Sequence, residues 1–124
     1  MLGDIDAGAI LAVTDLERAR RFYTETLGLA EAGREGEELV RLRSGQSTIA
    51  IYRSQFAGTN QATALSWAVD DVKGTVAALQ GKGVRFEHYD MPGFTLEGDV
   101  HVGHGMKAAW FKDPDGNILN VVGA

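Results

Sequence analysis

The chain has 124 residues, with 12 Lys and Arg against 17 Asp and Glu, a formal charge of −5, 44% hydrophobic and 23% charged residues, and no cysteine. This is ordinary globular composition for one domain with a real core. The acidic balance leaves no basic stripe for nucleic acid or an anionic membrane surface. The lack of cysteine excludes disulfides, thiolate metal sites and thiol nucleophiles and fits a reducing compartment. No apolar run approaches the roughly 18 residues that span a bilayer, and Met1-Leu2-Gly3-Asp4 has no signal-peptide character. A cytoplasmic protein is the expectation.

The first element is a short apolar strand, Ile10–Val13, that runs into Asp15 as a helix N-cap. Leu16, Ala19, Phe22, Tyr23 and Leu27 then recur at helix spacing, and Gly28 is placed to end the helix. Three strand-like runs follow, Leu29–Arg34, Glu38–Arg43 and Ser47–Arg53. The polar stretch Ser54–Thr63 reads as a connection. Beyond it the pattern repeats: Ser66–Val69 leads into Asp71, and Val72, Val76 and Leu79 form an apolar stripe that Gly83 terminates. Further strands are expected at Val84–Tyr89, Met106–Lys112 and Asn117–Val122. Met91–Gly105 reads as a long glycine-rich loop able to gate a site, with Phe94 and Leu96 as its apolar inner surface. Asp113-Pro114-Asp115-Gly116 predicts a tight hairpin, with Pro at the second turn position and Gly at the left-handed one. The plan is α+β: two tandem β-α-β-β-β modules at about 7–54 and 63–123, joined over about 54–63, in a single domain spanning 1–124.

The run from Val13 to Tyr23 with Leu27-Gly28-Leu29, Val69-Asp70-Asp71-Val72, Gly83-Val84, and Phe111 to Leu119 with its Asp-Pro-Asp-Gly hairpin resemble the vicinal-oxygen-chelate superfamily. This is the group of glyoxalases, bleomycin-resistance proteins and extradiol dioxygenases. The resemblance implies that the modules form a curved mixed sheet enclosing a cavity, with the helices on its outer face, and that short chains pair as homodimers. It also implies four metal-ligand positions, which fall on Gly8, Ala64, Ala50 (to within one residue) and Asn120. Glycine and alanine side chains offer no donor, and a lone Asn amide is a weak one. No cofactor is therefore expected.

The alternative, a divalent metal rebuilt elsewhere, would draw on His88, His101 and His104 with Glu87, Asp90, Glu97 and Asp99. Solvated residues of a glycine-rich loop explain that cluster as well. Asp113 and Asp115 read as turn formers rather than an acid–base pair.

Strand alternation then sets which residues line the cup. Ile10, Ala12, Thr48, Tyr52, Ser66 and Ala68 share the face of the metal-equivalent positions, while Leu11, Val13, Ile49, Ile51, Leu65, Trp67, Val69, Leu119 and Val121 face the helices. A one-residue bulge after the final turn puts Lys112 across from Ile118, Phe111 from Leu119 and Trp110 from Asn120. The candidate ligand-binding set is Tyr52, Trp110, Asn120, Ser66 and Thr48, with His101 as the loop residue that would reach in. Aromatic walls and a neutral amide suit a small, planar or partly apolar organic molecule. The expected function is such binding. The alternative is a glyoxalase- or lyase-type enzyme acting on a small carbonyl compound, with a rebuilt metal site or a metal-independent base.

Overall fold

The chain folds in two units, Met1–Gly58 and Thr59–Ala124, each with its own mixed sheet, in a computed structural model that describes all 124 residues. The α+β plan of two modules holds: the strands form two mixed sheets, and neither closes into a barrel. No helix is long and apolar enough to cross a membrane.

In the first unit β1 (Ala9–Val13) leads into a short helix, α1 (Leu16–Arg21), followed by β2 (Ala30–Glu35), β3 (Leu39–Ser44) and β4 (Ser47–Arg53). Asp15 caps α1 by accepting from the Arg18 amide at 3.1 Å, satisfying one of the donors a helix start leaves open. The apolar stripe continues past Arg21, but as a π-helical turn over Phe22–Thr26, closed by Leu27 N–H to Phe22 O at 3.1 Å. Gly28, at φ +83°, then turns the chain out. The sheet order is β1-β4-β3-β2, with β1 parallel to β4 and the other pairs antiparallel. Leu11, Val13, Val40, Leu42, Ile49 and Ile51 are buried, as are Leu16, Ala19 and Tyr23 of the helical segment. This alternation matches the helix-facing set read from strand parity.

The second unit repeats the plan with an addition. β5 (Thr63–Val69) leads into α2 (Val72–Gly81), and the closing pair is β9 (Met106–Lys112) and β10 (Ile118–Gly123). Asp71 caps α2 by accepting from the Gly74 amide at 2.9 Å; a Cβ at Gly74 would run into that carboxylate, so the glycine inside the helix accommodates its cap. At the other end Val84 N–H reaches Leu79 O and Gly83 N–H reaches Gln80 O, with Gly83 at φ +90°. This is a Schellman ending.

The expected strand Val84–Tyr89 is shorter, β6 (Phe86–Glu87), and the expected loop Met91–Gly105 is mostly a hairpin, β7 (Thr95–Glu97) and β8 (Val100–Gly103). Two tight turns cause the difference. Gly98-Asp99 joins β7 to β8 with Gly98 at φ +64°, and His104-Gly105 joins β8 to β9 with both residues at positive φ, 51° and 76°. These are the backbone signs of type II′ and type I′ hairpins. The order is β5-β10-β9-β8-β7, and β6 pairs with the other end of β9. The gating loop of the sequence reading is thus corrected: Val100 and His101 are buried members of the sheet, and Leu96 is 45% exposed.

The final hairpin has the register that its turn dictates, with Ile118 opposite Lys112, Leu119 opposite Phe111 and Asn120 opposite Trp110. Asp113 holds the turn. Its Oδ1 accepts from the amides of Asp115 and Asn117, both at 2.9 Å, and its Oδ2 accepts from Asn117 Nδ2 at 2.8 Å.

Candidate functional site

Alternation along β9 places Ala108 and Trp110 on one face and Ala109 and Phe111 on the other. The second face carries the core: Phe111, Leu119, Val121 and Ala109 are buried along with Val72 and Val76 of α2, and Trp67 stacks on Phe111 at 6.4 Å. The first face is different. Across the ladder Trp110 lies opposite Asn120, Asn120 opposite Ser66, and Ala108 opposite His101. Ser66, Trp110, Asn120 and His101 therefore share one face of the second sheet. Thr48 and Tyr52 share a face of β4 in the first unit, where Ala12 stands opposite Tyr52. Thr48 and Ser66 are exposed and Tyr52 is half-buried.

Around Trp110 the structure gathers an aromatic cluster. The indole lies edge-on to His101 at 5.0 Å and to Tyr89 at 5.5 Å, and Tyr89 stacks on His101 at 6.3 Å. Trp110 Nε1 donates to Thr63 Oγ1 at 3.0 Å, which fixes the ring at its polar edge. Tyr89 and Thr63 were not in the sequence-derived set. The position of Tyr89 follows from the early end of β6, which no local signal marks.

His101 is 1% exposed and Asn120 6% exposed. His101 Nδ1, Asn120 Oδ1 and Tyr89 Oη are buried with no hydrogen-bond partner. Each such atom costs roughly 1–3 kcal/mol while it stays unmet, and all three lie beside Trp110 or across the ladder from it. No such atom occurs in the first unit. That unit holds an open groove of about 380 Å³ lined by Thr14, Asp15, Glu17, Arg34, Glu37 and Arg53. Its cations are already paired, Arg34 with Glu17 and Glu31, and Arg53 with Glu38. The groove is a solvated charged surface rather than a receptor for an organic ring.

The residues named for a rebuilt metal site do not converge. Asp99 binds His88 Nε2 and Gln80 Nε2, both at 2.6 Å. Glu97 pairs with Lys73, Glu87 with Lys112, and His104 packs on Phe94. Hydrogen bonding from His88, assisted by Gln80, holds the Asp99 carboxyl below its ordinary value. No three His, Asp or Glu side chains are grouped so as to hold a metal ion.

The sequence matches the model of the Glyoxalase/Bleomycin resistance protein/Dioxygenase superfamily over residues 7–121. No curated protein matches it. Similar solved structures include an integron cassette protein, HFX_CASS4, from the mobile metagenome of the Halifax Harbour sewage outfall, at 20% identity and TM-score 0.71, covering 97% of this chain and 100% of that one. Lactoylglutathione lyase from Agrobacterium tumefaciens aligns at 19% identity and TM-score 0.71, covering 96% and 92% of the two chains. TnmS3, an antibiotic binding protein from Streptomyces sp. CB03234, aligns at 23% identity and TM-score 0.64, covering 96% of each. At these identities the structural likeness speaks for the fold. The match along nearly the whole sequence goes further: the chain belongs to the Glyoxalase/Bleomycin resistance protein/Dioxygenase superfamily.

Proposed function

We propose that this protein binds a small, partly aromatic organic molecule without a metal, on the Trp110 face of its second sheet. The observation that carries the reading is the trio of buried, unpartnered polar atoms, on Tyr89, His101 and Asn120, beside aromatic rings. Aromatic walls supply apolar area and the polar atoms supply orientation, the usual division of labour in a ligand site. The metal-equivalent positions Gly8, Ala50 and Ala64 carry no donor. Antibiotic binding by TnmS3, a protein of the same fold, is in keeping with this reading. The proposal extends to a cytoplasmic homodimer, as the resemblance implies for short chains.

The test is titration of the purified protein with planar organic compounds, following the fluorescence of Trp110 in a Trp67→Phe background. Quenching that saturates, and that is absent in a Trp110→Phe variant retaining Trp67, is expected; a flat response across such a panel would remove the reading. Metal analysis of protein prepared without chelators or a nickel-binding tag tests the second half. Stoichiometric zinc, nickel, manganese or iron would favour the lyase-type enzyme instead. Sedimentation as a 13.3 kDa species at micromolar concentration would contradict the dimer.

A further inference from the structure

The sheet is interrupted beside β9, and His101 stands at the interruption. β6 pairs with Trp110 and Phe111, while β8 pairs with Met106, Lys107 and Ala108. Continuing β6 by two residues would put Tyr89 opposite Ala108, but the backbone of His101 already occupies that place. Tyr89 has lost its ladder partner and turns to the imidazole of His101 instead: its amide nitrogen lies 3.0 Å from Nε2 and its carbonyl oxygen 3.2 Å from the same atom.

One ring nitrogen cannot serve both. An amide N–H only donates, so Nε2 must present a lone pair to it; a carbonyl only accepts, so Nε2 would need a proton. The amide contact is the shorter, and buried N–H groups go unpaired more rarely than buried carbonyls, which have two lone pairs and tolerate partial satisfaction. Nε2 therefore accepts from Tyr89, and the imidazole carries its proton on Nδ1. That Nδ1–H has no acceptor in the protein.

We infer that His101 is the hydrogen-bond donor of the site, and that the ligand presents a neutral oxygen acceptor, a carbonyl, to its Nδ1–H. This rests on the reading that the Trp110 face takes a small molecule. Neutrality follows from the surroundings. Tyr89, Trp110, Thr63 and Asn120 bring no cation to the ring; His88, whose ring lies 6.3 Å from that of His101, is engaged by the Asp99 carboxylate, and Lys112, on β9, is paired with Glu87. A carboxylate or phosphate would be desolvated here with nothing to balance it.

Two measurements on the full chain test this. Long-range proton–nitrogen NMR of the imidazoles at neutral pH should find His101 protonated at Nδ1 only. A proton on Nε2, alone or as imidazolium, would overturn the inference whatever else binds. The second compares 1-indanone with indane, a matched pair differing by one carbonyl oxygen, titrated while following the Trp110 indole N–H signal. One neutral hydrogen bond predicts a preference for the ketone of about three- to tenfold, lost in His101→Phe. Equal affinities in the native protein would refute the donor role while leaving the site itself standing. Binding of neither compound would remove the site and this inference with it. Should His101→Phe fail to fold, the tautomer and the native preference still decide.

Discussion

In the first unit the place beside β3 is filled by the single strand β2, with Glu35 opposite Leu39 at one end, Ala30 opposite Arg43 at the other and one register shift between Glu31 and Gly33. In the second unit the corresponding place beside β9 is divided: β6 holds one end, the inserted hairpin β7–β8 the other. The continuous edge leaves no buried polar atom unsatisfied. The divided one leaves two, Tyr89 Oη and His101 Nδ1, with Asn120 Oδ1 a third on neighbouring β10, and it is the division that brings Tyr89 and His101 against Trp110.

That contrast can be broken at its strongest point, the hairpin that sets the Trp110–Asn120 register. Asp113→Ala removes a buried carboxylate that accepts three hydrogen bonds and should cost roughly 3 kcal/mol in urea unfolding. The tip between β3 and β4, Gly45-Gln46, has no such staple, and Gln46→Ala should stay within about 0.5 kcal/mol. Equal costs would mean that the two units do not differ in how their tips are held. Next in size is the ligand face. Trp110→Ala should fold and should weaken 1-indanone binding by about 1–3 kcal/mol, while Tyr52→Ala, in a sheet without unsatisfied atoms, should weaken it by less. Reversal of that order would move the site to the first unit.

Smaller still is the turn that feeds β8 into β9. Gly105→Ala, at φ +76°, should cost about 1 kcal/mol, and hydrogen exchange should rise in β8 before β10. The smallest effect concerns Asp99. Its carboxyl pKa is lowered in the folded protein by the His88 hydrogen bond. The associated stability is therefore present above the unfolded-state value and is lost as pH falls through the lower folded value. NMR titration should place its midpoint below 3.8, and His88→Ala should raise it. An unchanged midpoint would leave Asp99 as a plain turn residue.

Much of this was legible in the residues because the signals were local. Asp15 and Asp71 cap the helices, Gly28 and Gly83 end them, and the Asp-Pro-Asp-Gly turn fixes which strand face Trp110 and Asn120 occupy. The inserted hairpin was not read, although Gly98-Asp99 is a recognised two-residue hairpin sequence. The strands it joins are only three and four residues long, too short for alternation to stand out from a glycine-rich loop. His104 hid the second turn, since a non-glycine residue at φ +51° is not what a type I′ turn advertises. His101 was named on general grounds. Its partner Tyr89 was not, because that contact depends on where β6 stops, a tertiary outcome with no mark in the sequence.

The parallel pairing of first strand with last has a consequence for synthesis. β5 finds its only neighbour in β10, more than 50 residues later in the chain. At about 5–20 residues per second, β5 and the apolar stripe of α2 wait several seconds on the ribosome for the strand that covers them. The first unit meets the same delay between β1 and β4, though over a shorter span. The second unit is thus the later and longer-exposed half of the molecule. Shortening the chain from its C-terminal end by seven residues would take β10 out of the middle of its sheet, leaving two strand edges open to other half-made chains.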